Sequence, residues 1–102
     1  MYRSTTPELI FHINNTNINM ADIDICHITV ESADHSHKII YETPVIDVEH
    51  KTIKQFMTQA ETKAFNVGSV LIQLKVKLTS GAVIPSEIII KDMKEILEEA
   101  EL

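Results

Sequence analysis

The sequence has no tryptophan, one cysteine, two glycines and three prolines in 102 residues, and each scarcity excludes something. With only two tyrosines and three phenylalanines, the core must be aliphatic. One cysteine, Cys26, cannot close an internal disulfide, which removes the stapled secreted mini-domain and fits a reducing compartment. Two glycines can hardly build a phosphate-cradling loop, and they leave most turns to Asn, Asp, Ser and Lys. No apolar run reaches signal-peptide or membrane-span length, so a cytoplasmic product without a membrane contact is expected. Clustered Lys/Arg is missing as well: nine bases face fifteen acids, a net charge of −6. A surface that tracks phosphates needs the opposite balance, and nucleic-acid binding is not expected.

What is present is an ordinary globular composition, 44% hydrophobic and 24% charged, in a length that suits one domain. Abundant isoleucine favours pleated, half-buried surfaces. The charge is uneven. Residues 92–102 hold five acids and one lysine, while the other ten acids are nearly balanced by eight bases. A near-neutral body, residues 1–92, is thus expected to precede an acidic helix or tail, residues 93–102.

Leu9 to Ile13 is a short apolar run between Pro7 and an Asn-rich turn, read as a first strand. Asp22 to Glu31 is a second, and its apolar phase shifts from Ile23/Ile25 to Cys26/Ile28/Val30. A shift in a period of two predicts a bulge or burial on both faces. Ser32 to His37 is a polar turn leading to a strand over Lys38–Thr43, and Val45–Val48 and Thr52–Met57 follow. Thr58 and Glu61 have the capping-box spacing, which predicts one or two helical turns. From Val70 to Thr79 apolar residues alternate with Gln73, Lys75 and Lys77, the pattern of a sheet with one face in water. Ser80-Gly81 should turn the chain into a return strand over Val83–Asp92, with Pro85 at its start or at an edge. Met93, Ile96, Leu97 and Ala100 then fall at helical offsets, which predicts a short amphipathic helix. Short strands with turns every eight to twelve residues favour an antiparallel β-sandwich of the immunoglobulin or fibronectin type III kind; a small barrel is the alternative.

Sites for chemistry are sparse. His35-Ser-His37 could offer two imidazoles to a metal, but a third ligand is not evident. Asp22 and Asp24 read as one face of a strand start, short of a calcium shell. Asp47 and Glu49 could be paired for acid–base work, without a cleft to mark them. Cys26 sits in an apolar strand as a small buried hydrophobe. No catalytic, cofactor or metal residues are therefore assigned, and no enzyme is expected. The stripe of Met93, Ile96, Leu97 and Ala100, together with exposed sheet edges, is the candidate interaction surface.

Three stretches carry a resemblance: the leader Tyr2-Arg-Ser-Thr-Thr-Pro7; Thr58-Gln-Ala-Glu-Thr62 with Phe65; and, after Gly68, Ile72-Gln-Leu-Lys75, Thr79-Ser-Gly81 and Ile88-Ile-Ile90 before a Leu/Glu-rich tail. Their order resembles a family of small proteins encoded in phages and prophages of Gram-positive gut bacteria (Firmicutes). The match covers the first ten residues and the chain from about Glu49 onward, while Asn14 to Pro44 departs from it. The resemblance implies a non-enzymatic structural or assembly-accessory protein in the host cytoplasm or the virion. Its implied partners are other phage structural proteins or a second copy, and it offers no catalytic residues to carry over. A module binding carbohydrate or a host surface is the alternative, weakened by the scarcity of aromatics.

Overall fold

The computed structural model describes residues 1–14, 18–98 and 100. Among these, the strands are β1 (Glu8–His12), β2 (Ile23–Ser32), β3 (Lys38–Tyr41), β4 (Val45–Asp47), β5 (Thr52–Phe56), β6 (Gly68–Leu78), β7 (Val83–Pro85) and β8 (Ile89–Met93). A 3-10 turn (Met20–Asp22) precedes β2, and the helix α1 (Gln59–Lys63) joins β5 to β6. Every strand pair is antiparallel. The small sheet has the order β1-β5-β4; the larger one runs β3-β2-β6, with β7 and β8 in succession along the far edge of β6.

Residues from both sheets meet in one core, Leu9, Phe11 and Ile53 from the small sheet against Ile28, Val30, Val70, Ile72 and Leu74 from the large one. Ile28, Val30, Ile53 and Val70 are fully buried, each contributing about 1.5–3 kcal/mol by removal from water. The chain is therefore mainly β, with two antiparallel sheets around a shared core, compatible with a β-sandwich rather than a closed barrel. Its strand order differs from the immunoglobulin one at the second and third strands. In the immunoglobulin order the second and third strands lie in different sheets, whereas β2 and β3 form a hairpin within one.

Local chemistry explains the turns. The phase shift in β2 is a bulge: the register with β6 slips between Ile23 and Ile25, which lets Ile23 pack on the core side together with Cys26, Ile28 and Val30. In the β2–β3 turn Asp34 accepts from the Ser36 N–H at 3.0 Å, and Ser32 Oγ accepts from the His37 N–H at 3.0 Å. His35 takes the left-handed φ of 62° that this tight turn demands. In the β4–β5 turn Asp47 accepts from the His50 N–H at 3.1 Å. The capping box at α1 is complete: Thr58 Oγ1 accepts from Glu61 N–H at 3.2 Å, and Glu61 Oε1 accepts from Thr58 N–H at 2.8 Å. Gly81, at φ +91°, supplies the conformation that the β6–β7 turn needs and most residues resist.

The chain after Asp92 differs from the expected helix. Met93 is the last residue of β8, paired with Gly68 and 1% exposed in the core; Lys94 bridges to Tyr2, and no helix follows among the described residues. The reason lies in β6. Its eleven residues need a partner along their whole edge, and β7 covers only Lys75 to Lys77. The return strand therefore continues to Met93, and the boundary drawn after Asp92 falls inside β8.

Candidate functional site

The two sheets are joined differently on their two long sides. On one side the chain passes from β3 in the large sheet to β4 in the small sheet through Glu42, Thr43 and Pro44, a covalent corner. On the other side β1 faces the β7–β8 edge across an open seam. One stretch is a groove of about 250 Å³ lined by Glu8, Leu9, Ile10 and Phe11 on the small sheet and Ile72, Ile89 and Lys91 on the large one. Beyond it a wider groove of about 640 Å³ runs between His12, Ile13 and Ile18 and the large-sheet residues Leu74, Val76, Ile84 and Pro85.

Backbone groups line the same seam. Pro7 C=O accepts from Met57 N–H at 3.0 Å, and Ile13 N–H donates to Lys51 C=O at 2.9 Å. These bonds turn the odd residues of β1 toward β5, so by antiparallel alternation Glu8, Ile10 and His12 present their N–H and C=O to the seam. In β8 the even residues face outward, because Lys94 N–H donates to Met1 C=O at 2.7 Å and Arg3 N–H to Lys94 C=O at 3.0 Å. Ile90 and Asp92 thus offer their backbone to the seam as well. Pro85 sits on the outward phase of β7, where its missing N–H costs no ladder bond.

A short crossing closes the seam at the Met93 end of β8. Tyr2 pairs in parallel with Lys94, whose ammonium lies 5.6 Å from the Tyr2 ring centroid. The chain then crosses to the small sheet through Ser4, at φ 56°. Fully buried Thr62 of α1 clamps the crossing: its hydroxyl accepts from Thr5 N–H at 3.0 Å and donates to Thr5 C=O at 2.8 Å.

Midway along the seam the large sheet is repaired by one serine. The register shifts by one residue between Lys75↔Pro85 and Ile72↔Ile89, an extra residue on the return strand. Ser86 absorbs it: its N–H donates to Leu74 C=O at 2.7 Å, and its Oγ accepts from Leu74 N–H at 2.9 Å. Gln73 Nε2 donates to Ser86 C=O at 3.0 Å.

Of the residues proposed as an interaction stripe, Met93 is consumed by the core, Ile96 is half-buried, and Leu97 and Ala100 are exposed. They form no common helical face. The His-x-His pair also separates: His35 lies 3.3 Å from Glu31 on the surface, while His37 packs edge-on against Phe65, ring centroids 4.7 Å apart. Among the described residues no three His, Cys, Asp or Glu side chains converge as a metal site would. Asp22 lies in the 3-10 turn, which leaves Asp24 alone in the strand. The Asp47 carboxylate is engaged with His50, 2.8 Å from its Nδ1, and the His50 N–H bond holds it below the usual carboxylate range. Burial pushes the Cys26 thiol up to about 11, which keeps it protonated and unreactive. Tyr41 is raised too, by burial first and by the nearby Glu61 carboxylate second.

Sequence reasoning did not find the seam, the Thr62 clamp or the Ser86 bulge. A signal existed for the last: Pro85-Ser86-Glu87 interrupts the alternation before three consecutive isoleucines. No helix among the described residues is long and apolar enough to cross a membrane. Compared with family models, curated proteins and solved structures, the chain matches none.

Proposed function

We propose that this chain is a non-enzymatic structural or assembly-accessory protein that works through protein–protein contacts, by taking an extended strand of a partner into the open seam. The observation that carries this reading is the coincidence, on one side of the molecule, of an apolar floor and two rows of outward backbone groups. Strand addition uses both: main-chain hydrogen bonds supply affinity, and alternate side-chain pockets supply selectivity. The rims favour a partner strand of mixed or no charge, since Glu8 stands on one wall and Lys91 on the other. The Tyr2–Lys94 bridge already adds a short parallel segment at the β8 edge, and a partner strand would continue it. A phage or prophage setting, with other phage structural proteins or a second copy as partner, rests on the sequence resemblance alone.

Carbohydrate binding has less support, because sugar platforms stack on exposed aromatic rings. Tyr41 is buried, and the exposed aromatics are Tyr2 and Phe56. The test is a pair of substitutions at half-exposed seam residues, Ile10→Lys and Ile89→Lys, read by light scattering and by co-purification with the products of neighbouring genes. Loss of association with an unchanged fold supports the reading. A wild-type protein that stays monomeric and captures none of those products contradicts it.

A further inference from the structure

The outward face of the large sheet carries a second feature, at the end remote from the Thr62 clamp. Antiparallel pairing places Ile25, Lys77 and Val83 in one row, and His27, Lys75 and Pro85 in the next. Ile25, His27, Lys75, Lys77 and Val83 line a shallow cleft of about 190 Å³. Ile25 and Val83 are 44% and 55% exposed, so the cleft is apolar as well as basic. The acids of β2 on this face are Asp24, exposed at the bulge beside Ile25, and Glu31, four residues beyond His27 and engaged with His35, so the two lysines outnumber the one free carboxylate next to the cleft. Neither Lys75 nor Lys77 has an ion-pair partner among the described residues.

Residues 95–98 are the chemical complement: Glu95 and Glu98 with Ile96 and Leu97, and no basic residue. Leu97 is completely exposed. The open seam attracts this segment less, because Glu8 and Glu87 line it against the single Lys91. Glu95 and Glu98 also cannot reach the basic cleft of their own molecule. β8 ends opposite Gly68, and nine residues of strand separate Gly68 from Lys77, about 30 Å; the chain from Lys94 to Glu98 spans at most about 14 Å.

We infer that residues 95–98 of one copy dock in the Ile25/His27/Lys75/Lys77/Val83 cleft of a second copy, an inference that rests on the assembly reading above. The glutamates face the two lysines, and Ile96 and Leu97 cover Ile25 and Val83. Because the two surfaces lie at opposite ends of a molecule 46 Å long, the contact is head-to-tail, and it propagates into a filament or closes into a ring.

Two charge-reversed proteins test this, K75E/K77E and E95K/E98K, with sedimentation velocity as the readout and circular dichroism as the folding control. The wild type is expected to self-associate at low salt and less so at 0.5 M, as screening shortens the Debye length to a few ångströms. Each variant alone should associate about tenfold more weakly or worse, since like charges now meet. An equimolar mixture of the two should recover association, because each supplies the complement the other has lost. A mixture that stays monomeric overturns the contact, and so does a wild type that stays monomeric. Self-association that persists undiminished in both variants also overturns it, while leaving assembly through the seam to be judged by the Ile10 and Ile89 substitutions.

Discussion

The two long sides of the molecule solve the same problem in opposite ways. Where β3 gives way to β4, three residues of chain bind the sheets together, and the adjoining hairpins are fastened by the Asp34 and Asp47 turns. Where β1 faces β7 and β8, the crossing near Thr62 joins the sheets at one end, the β1–β2 connection passes between them at the other, and an apolar groove lies between. Unpaired edges are ordinarily blunted by charge, proline or a covering loop. Here Pro85 blunts one position, and the segment from Met1 to Arg3 covers another. The difference teaches how stability and interaction could be separated: the closed side joins the sheets by chain, and the open side is where the reading proposed above adds a partner strand.

The largest expected effect tests whether the open side truly includes the end of β8. Met93→Ala removes a fully buried side chain and should cost about 2–5 kcal/mol in urea unfolding, whereas Leu97→Ala should change stability by less than about 0.5 kcal/mol. Equal, small effects would return Met93 to a peripheral helix. Next is the clamp. Thr62→Val keeps the shape but orphans both backbone groups of Thr5, for a loss of about 1–3 kcal/mol. Hydrogen exchange should quicken in β1 and around Lys94 and stay unchanged in β3 and β4; a uniform rise would erase the distinction between the sides.

These two substitutions also mark what could be read from residues alone. The alternation of Val70 to Leu78, the bulge near Asp24 and the capping box at Thr58 are local patterns with local causes, and each is present in the structure. Met93 differs, since apolar residues at offsets zero, three, four and seven suggest a helix in so short a stretch, yet Met93 closes β8. The requirement that overrides this is distant: the first half of β6 lacks a partner unless the chain stays extended through Met93. The seam escaped notice for the same reason. Its walls come from residues 8–11 and from 72, 89 and 91, and only the pairing of the sheets brings them face to face.

Ser86→Ala should have a smaller effect, about 1 kcal/mol, by leaving the Leu74 N–H without its side-chain acceptor; faster exchange of that amide would localise the loss to the open side. The smallest effect falls on the closed side and depends on pH. Hydrogen bonds from the Ser36 side chain and then its N–H hold Asp34 down to about 2, and Asp47 is lowered by His50. Both lie below the unfolded carboxyl value near 3.9. Their stabilisation is therefore complete above about pH 4 and is lost as the pH falls toward about 2. Thermal melts across that window should show a shallower acid limb for D34A/D47A than for the wild type, and parallel limbs would remove these turns from the account.

The most direct measurement is residue-resolved hydrogen exchange of the edge amides Glu8, Ile10, His12, Ile90 and Asp92, compared between dilute protein and protein in its assembled or partner-bound form. If the seam receives a strand, a subset of these amides on one wall is open in dilute protein and becomes strongly protected on assembly, while β3 and β4 change little. If assembly leaves all five exchanging as freely as before, or protects the β3 edge instead, the open seam is not where this protein meets its partner.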